Sequence, residues 1–166
     1  GTYPLPEAQQ DRFLMKVIVG YPSKEEEQLI LRYNVMDLVP AEIRPVASIQ
    51  ELIASRELVR KVYMDEKIEN YILDIVFATR TPEKYGLEKL KLLIGYGGSP
   101  RASISLALAA KAQAFLLKRG YVIPEDVRSV CKDVLRHRIG LSYEAEAENV
   151  DVEQVVDEVL RAIPVP

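Results

Sequence analysis

The chain has 166 residues, of which 48% are hydrophobic and 28% are charged, a composition typical of one globular domain of ordinary size. Its formal net charge of −3 argues against a nucleic-acid-binding surface, since such surfaces are usually basic, and no apolar run approaches the roughly 20 residues that a membrane span needs. The single cysteine, Cys131, excludes an internal disulfide, and because the N-terminal residues lack the pattern of a signal peptide, we expect a cytoplasmic protein.

The first predicted element covers residues 13–19, a short apolar run rich in β-branched residues that ends at Gly20-Tyr21-Pro22. This pattern predicts a largely buried strand. No second convincing strand follows, and a lone strand leaves its backbone groups unpaired, so we expect its partner strands to precede residue 1 and the chain to be a fragment of an α/β protein. The alternative is that residues 13–19 form the buried first helix of an all-α domain, because short apolar runs are ambiguous.

From residue 23 onward the apolar residues recur mainly at helical spacing. The predicted helices begin near Ser23, Ser48, Asp65, Ser99, Pro124 and Asp151. The first, second and last of these starts have Glu or Gln three residues further on, which is the pattern of a capping box. A connector punctuated by Pro40 and Pro45 separates the first two helices. The helix after Ser99 is apolar nearly all round, so we expect it to lie at the centre of a helical bundle.

Two residue types that often carry chemistry occur only once in this chain. Cys131 lies on the apolar stripe of the predicted fifth helix, and we interpret it as an inert core thiol. His137 stands between Arg136 and Arg138, where it cannot build a histidine metal site, and we expect a basic surface near a helix C-terminus. The glycine-rich segment 95–98 lacks the lysine of a P-loop, and no G-x-x-x-x-G-K-[ST] sequence occurs in the chain.

Two arginines are candidates for binding phosphate. Arg101 falls in the first turn of the predicted fourth helix, where a cation opposes the helix dipole. It therefore either faces solvent or joins the free N–H groups of the helix end to bind an anion. An arginine suits the second role because its planar, permanently charged guanidinium matches phosphate oxygens. Arg12 lies just before the predicted strand, where the alternatives are a local salt bridge or simple exposure to solvent.

Three parts of the sequence resemble motifs of the MoxR family of AAA+ ATPases. Residues 1–13, from Gly-Thr-Tyr-Pro to Asp-Arg-Phe, resemble the segment that follows the sensor-1 strand. Residues 98–103, Gly-Ser-Pro-Arg-Ala-Ser, resemble the sensor-2 motif, and residues 134–145 include Leu-Arg-His-Arg-Ile and Leu-Ser-Tyr-Glu-Ala of the family's C-terminal region. The motifs occur in the family's order, and the resemblance covers essentially the whole chain.

The resemblance implies a role for each candidate. Arg12 would be the arginine finger that reaches the γ-phosphate held by a neighbouring subunit, and Arg101 would be the sensor-2 arginine that contacts nucleotide phosphate in its own subunit. Tyr21 would lie where such proteins often line the adenine pocket. The family's Walker A lysine, Walker B acid and sensor-1 asparagine would precede residue 1. The parent protein, by which we mean the full-length ATPase, would then bind ATP and Mg²⁺, whereas this chain alone would bind neither tightly and would not hydrolyse ATP.

The predicted architecture is mainly α, an AAA+ helical lid bundle with a short N-terminal remnant of the α/β ATPase core. Residues 1–21 form the remnant, with the arginine-finger helix and the last core strand, and residues 22–166 form connector helices and the lid. The resemblance also implies that the parent assembles as a ring, commonly a hexamer. The ring would use ATP for chaperone-like remodelling or maturation of protein complexes, with von Willebrand factor A domain proteins among its partners.

Two other functions remain open at this point. The chain could be a non-enzymatic helical module that binds other proteins, in which case Arg101 is an ordinary surface residue. It could also be the lid of a DNA-dependent AAA+ motor, although the net charge of −3 favours a protein without a nucleic-acid partner.

Overall fold

The computed structural model describes residue 3 and the ranges 5–35 and 42–166, and within them the fold is mainly α-helical, as predicted. The helices are α1 (Glu7–Gln10), α2 (Lys24–Val35), α3 (Ile49–Lys61), α4 (Glu66–Arg80), α5 (Leu90–Leu93), α6 (Pro100–Leu116), α7 (Pro124–Leu135), α8 (Tyr143–Ala147) and α9 (Val152–Ala162). The strands are β1 (Ile94–Tyr96) and β2 (Gly140–Leu141), and a 3₁₀ turn covers Pro82–Tyr85. Gly1, Thr2 and Pro4 of the first motif and Pro40 of the predicted connector lie outside the described residues.

The starts of the long helices follow the capping residues that the sequence predicts. At α3, the Ser48 hydroxyl accepts a hydrogen bond from the Glu51 backbone N–H at 3.2 Å, and the Glu51 carboxylate accepts one from the Ser48 N–H at 2.6 Å. The same reciprocal pair begins α9 at Asp151. At α6, the Ser99 hydroxyl accepts from the Arg101 N–H at 3.1 Å. Each cap satisfies backbone donors that the first turn of a helix leaves unpaired.

The hydrophobic core lies between α4, α6, α7 and α9. Residues with no exposed surface include Ile75, Val76, Leu106, Val127, Val134, Val156 and Val159. Helix α6 packs against α3, α4 and α7, in agreement with its predicted central place, and most of its buried positions are alanines that allow close approach of neighbouring helices. Its side chains at Ile104 and Leu108 are exposed, so its burial is not complete.

Cys131 belongs to this core, as expected from its position on the apolar stripe of α7. Its side chain is fully buried, and this burial raises the pKa of the Cys131 thiol to about 12. The thiol is therefore protonated at physiological pH and inaccessible to reagents. None of the helices in residues 5–35 and 42–166 combines the length and apolarity needed to cross a bilayer.

The prediction of a buried strand at residues 13–19 is wrong, and so is the alternative of a buried helix. Residues 15–23 have neither helical nor strand structure, and Phe13, Val17 and Val19 are exposed, Val19 to 89%. A strand needs a neighbouring strand for its backbone groups. Here, instead, the Lys16 N–H donates to the Asp133 carbonyl at 2.8 Å, and side chains that follow α7 bind carbonyls of this segment.

A small antiparallel pair of strands was not foreseen. Strands β1 and β2 pair through Ile94 with Leu141 and through Tyr96 with Gly140. An isolated parallel bridge also joins Tyr63 to Tyr121. The strands have three and two residues, which is too short for an alternating pattern to stand out, and their partners lie far apart along the chain.

Candidate functional site

The candidate site is a junction between the end of α1 and the start of α6, centred on Asp11. One oxygen of the Asp11 carboxylate, Oδ2, accepts hydrogen bonds from the Ser99 hydroxyl at 2.8 Å and from Arg101 Nη1 at 3.3 Å. The other oxygen, Oδ1, accepts from Arg138 Nε at 3.2 Å. Asp11 therefore connects the residue that caps α6, the arginine in its first turn and a buried arginine beyond α7.

The electrostatic setting keeps Asp11 ionised. Partial burial raises the pKa of the carboxyl, but hydrogen bonds from Ser99 and Arg101 and the positive charge of Arg138 outweigh it and lower the pKa below the ordinary value. Because the folded-state pKa is lowered, these contacts stabilise the junction at neutral pH, and this contribution is lost as the pH falls through the lowered pKa.

Arg101 occupies the position that the sequence predicts, in the first turn of α6. Its side chain is 57% exposed and forms an ion pair with the Asp11 carboxylate. A cation at a helix N-terminus is unfavourable by about 0.3–1 kcal/mol, and the carboxylate of Asp11 offsets this by placing an anion at the same helix end. At this helix end the anion is the carboxylate of Asp11, and the binding of phosphate by Arg101 stays a prediction.

Arg12 directly follows Asp11, so its backbone is held at the same junction. Its side chain is exposed and makes no hydrogen bond or ion pair with any described residue. The alternative of a local salt bridge is therefore not observed among the described residues, and the Arg12 side chain is exposed to solvent. Arg12 and Arg101 form no hydrogen bond with each other, but Asp11, the residue before Arg12, forms an ion pair with Arg101.

Tyr21, the third candidate, is not part of this junction. It is fully exposed, and its hydroxyl has no hydrogen-bond partner in the ranges 5–35 and 42–166. Its role in an adenine pocket stays a prediction.

The sequence analysis missed three residues that follow α7: Arg136, His137 and Arg138. We call them the α7 clamp, because each of them binds a backbone carbonyl in residues 11–16. Arg136 Nη1 donates to the Lys16 carbonyl at 2.6 Å, and His137 Nε2 lies 3.1 Å from the Phe13 carbonyl. A carbonyl can only accept, so Nε2 of His137 carries the proton. The predicted basic surface is therefore wrong, because these side chains face residues 11–16.

Arg138 is the most deeply buried member of the α7 clamp, with 3% of its surface exposed. Its guanidinium donates to the carbonyl oxygens of Asp11 at 3.0 Å and Leu14 at 3.1 Å, and to the Ser105 hydroxyl at 3.1 Å. The carbonyls of Phe13 and Val134 accept further hydrogen bonds from it. A buried charge is tolerated when its donors are all used, and this guanidinium meets that condition.

The other two members of the clamp are Arg136, which is held by ion pairs, and His137, which is uncharged. Arg136 also pairs with the carboxylates of Asp133 at 2.6 Å and Glu153 at 2.9 Å. Burial lowers the pKa of His137, and the nearby positive charge of Arg138 acts in the same direction, so the imidazole is neutral at physiological pH. The clamp thus presents two permanent cations and one neutral donor to the segment.

The glycine-rich loop before α6 packs against the C-terminal end of α4. The Gly98 N–H donates to the buried Thr79 hydroxyl at 3.0 Å, and Arg80 Nε donates to the Gly98 carbonyl at 2.5 Å. A Cβ atom at Gly97 would lie 2.3 Å from the Thr79 carbonyl oxygen. Glycine is required there because a backbone atom, which cannot move aside like a side chain, occupies the space. The loop therefore fixes where α6 begins and where Ser99 and Arg101 stand.

We expect Gly97→Ala to lower the free energy of unfolding by about 3 kcal/mol, because the new methyl group would overlap backbone atoms of α4. Thermal unfolding followed by circular dichroism measures this effect. Gly120→Ala is the matched control, since a Cβ atom there meets no atom of the described residues within 4 Å. Equal melting temperatures for the two variants would contradict the close approach at Gly97.

The described residues hold no group of three or more His, Cys, Asp or Glu side chains that could bind a metal ion. The donors at the junction are guanidinium groups, which match phosphate oxygens and not metals.

Comparison with known proteins agrees with this fold. Residues 89–159 match the family model of the AAA lid domain. The chaperone MoxR1 of Mycobacterium tuberculosis is 42% identical over 166 residues, which is all of this chain and 44% of that protein. Protein MoxR of Paracoccus denitrificans is 34% identical over 180 residues, covering 99% of this chain and 52% of that protein. A crystal structure of a candidate ATPase from Cytophaga hutchinsonii is 44% identical, with a TM-score of 0.92 over all of this chain and 50% of that one.

Residues 89–159 therefore form the helical lid domain of an AAA+ protein. The chain spans about half the length of the curated relatives it matches. It belongs to the MoxR family of AAA+ ATPases.

Proposed function

We propose that the chain is the lid portion of a MoxR-type ATPase whose parent protein uses ATP binding and hydrolysis for chaperone-like remodelling or maturation of protein complexes. The observation that supports it most directly is the shared carboxylate of Asp11, which joins Arg101 to the residue next to Arg12. Two exposed guanidinium groups thereby project from one junction, and phosphate is the ligand whose geometry and charge they fit best.

Arg101 would act as the sensor-2 arginine. Its contact with Asp11 Oδ2 is 3.3 Å long and open to solvent on the Arg101 side, so a phosphate group with more negative charge can replace it. The positive end of the α6 dipole favours an anion in the same place. Arg101 would then bind phosphate held by its own subunit and make the position of the lid depend on the nucleotide.

Arg12 would act as the arginine finger of a neighbouring subunit. An arginine finger must extend from its own subunit with its donors available, and the exposed side chain of Arg12 meets this requirement. Phosphoryl transfer places charge on the equatorial oxygens of the γ-phosphate, and a guanidinium directed at them stabilises that charge. This role requires a ring of subunits, and we propose a hexamer.

The remaining parts of the proposal concern groups outside this chain. ATP and Mg²⁺ would be held by the ATP-binding core of the parent protein, since the 166 residues contain no P-loop sequence. Tyr21 would border the adenine pocket. The M. tuberculosis relative is named a chaperone, and this name supports a chaperone-like role for the parent protein. A cytoplasmic location and von Willebrand factor A domain partners are further parts of the proposal, which follow from the family resemblance alone.

The proposed division of labour is tested by comparing this chain with the parent protein in an ATPase assay. We expect magnesium-dependent phosphate release from the parent and no turnover above blank from the isolated chain, because its 166 residues contain no P-loop sequence to cradle a triphosphate. Measurable magnesium-dependent hydrolysis by the purified chain would refute the proposal. Adding the chain to the assay of the parent serves as the control for inhibitors in the preparation.

A further inference from the structure

Residues 11–16 are held against the lid by a dense set of side-chain hydrogen bonds, although residues 15 and 16 have no regular secondary structure. The carbonyls of Asp11, Phe13, Leu14 and Lys16 all accept hydrogen bonds from the α7 clamp. In addition, the Lys16 N–H donates to the Asp133 carbonyl at 2.8 Å. This segment includes Arg12, so the clamp fixes the backbone position from which the exposed side chain of Arg12 extends.

Arg138 makes the central contribution. It reaches the backbone on both sides of Arg12, with 3.0 Å to the Asp11 carbonyl and a further bond to the Phe13 carbonyl. It also binds Ser105 in α6 at 3.1 Å and the Val134 carbonyl in α7. One buried guanidinium therefore connects both central helices of the lid to the residues that flank Arg12.

The two oxygens of the Asp11 carboxylate bind different partners, and only the partner Arg101 is exposed enough to exchange Asp11 for a phosphate. Oδ2 binds Ser99 and the exposed Arg101, and Oδ1 binds the buried Arg138. A phosphate that draws Arg101 away from Oδ2 leaves the bond between Oδ1 and Arg138 intact. The segment with Arg12 therefore stays attached to the lid while Arg101 changes its partner.

We propose that Arg138 is a positioning residue that makes Arg12 move as one body with the lid. A displacement of the lid caused by phosphate at Arg101 in one subunit then changes the position of Arg12 at the active site of the neighbouring subunit. This inference rests on the proposed function, because it assumes that Arg12 acts on a neighbouring subunit. Arg138 itself contacts neither the nucleotide nor the reacting atoms in this scheme.

The test is a double-mutant cycle in the parent protein with Arg138→Met and Arg12→Ala. We expect Arg138→Met to lower kcat for ATP hydrolysis by roughly 10- to 10²-fold, as a displaced catalytic group does, with the KM for ATP changed by less than about 2-fold. If Arg138 works through Arg12, the double variant is no slower than Arg12→Ala alone. Multiplicative effects of the two substitutions, or an unchanged kcat in Arg138→Met, would overturn the inference.

Arg128→Met is the matched control for loss of a partly buried arginine. Arg128 lies in α7 and donates to the Tyr71 hydroxyl at 3.1 Å and the Leu160 carbonyl at 2.8 Å, and none of its hydrogen bonds goes to residues 11–16. Any effect of this substitution on kcat should multiply with that of Arg12→Ala. If Arg128→Met and Arg138→Met behave alike in the cycle, Arg138 has only a structural role and the inference fails.

Trypsin gives a second readout that general loss of stability does not reproduce. It cleaves after Arg12 and Lys16, which the clamp holds, and we expect early cleavage at both sites in Arg138→Met but not in Arg128→Met at matched melting temperatures. If Arg138→Met does not fold, Arg138→Lys keeps the charge but cannot reach all the carbonyls, and it enters the same cycle. Failure of both variants to fold while Arg128→Met folds would overturn the positioning role.

The cycle also separates this inference from the proposed function. If Arg12→Ala leaves ATP hydrolysis unchanged, both the proposed function of Arg12 and the positioning role of Arg138 fail. If Arg12→Ala is severely impaired and Arg138→Met keeps its kcat, only the positioning role fails.

Discussion

Replacing Arg12 with alanine is expected to slow ATP hydrolysis by the parent protein by about 10³- to 10⁵-fold, the range over which an arginine supplied to phosphoryl transfer acts. The fold should persist in this variant, because the Arg12 side chain is exposed and forms no hydrogen bond or ion pair with the described residues. Phosphate release at saturating ATP measures the loss. Arg161→Ala, which removes another exposed arginine at the end of α9, is the control and should leave the rate within 2-fold.

Mixing subunits shows whether Arg12 acts on its neighbour. An Arg12→Ala subunit keeps its own ATP site, and a subunit that cannot bind ATP keeps its Arg12. Neither type is active alone, but in a mixed ring an intact ATP site can lie beside an intact Arg12. We expect activity to return on mixing, and the absence of any recovery in rings shown to contain both subunits would contradict an action in trans.

Replacing Arg101 with alanine should have the next largest effect, a loss of about 10²-fold in the rate of ATP hydrolysis by the parent protein, comparable to removing one donor that stabilises a transition state. The fold should persist because Ser99 still caps α6 and Asp11 keeps its bonds to Ser99 and Arg138. Arg101→Lys should recover only part of the activity, since lysine keeps the charge but loses the planar pair of donors. Steady-state kinetics measure the rates of ATP hydrolysis of the two variants, and thermal unfolding shows whether the fold persists.

The same substitution distinguishes the proposed function from its alternatives. A non-enzymatic helical module predicts that Arg101→Ala changes neither nucleotide turnover nor the melting temperature. A DNA-dependent motor predicts strong stimulation of the unsubstituted parent by duplex or single-stranded DNA, which the net charge of −3 does not favour. An unaltered hydrolysis rate in a folded Arg101→Ala protein would rule out the sensor-2 role.

Local interactions explain why the helices could be predicted from the sequence. A capping residue and its partner lie three positions apart, so the reciprocal bonds of Ser48 and Glu51 are visible in the sequence itself. The same holds for Arg101, whose place in the first turn follows from Ser99 and Pro100. The apolar stripe of α7 likewise placed Cys131 in the core.

Contacts between distant residues explain what was missed. The backbone of residues 13–16 is satisfied by side chains more than 115 positions later, and no local pattern encodes such a pairing. For Arg138 a signal did exist, because it continues the helical spacing of the buried residues Val127, Cys131 and Val134. Its charge and its neighbours Arg136 and His137 favoured a surface instead, because arginine is rarely buried without partners and its partners lie at the other end of the chain.

The buried state of Cys131 makes the chain a convenient background for spectroscopy. Its thiol is protonated and shielded, so maleimide or nitroxide reagents applied to the native protein should leave it unmodified. A cysteine introduced at an exposed site such as Val19 would then be the only reactive thiol supplied by this chain. A second cysteine, introduced on the outer face of α9, would allow the distance between residue 19 and α9 to be followed as nucleotide binds.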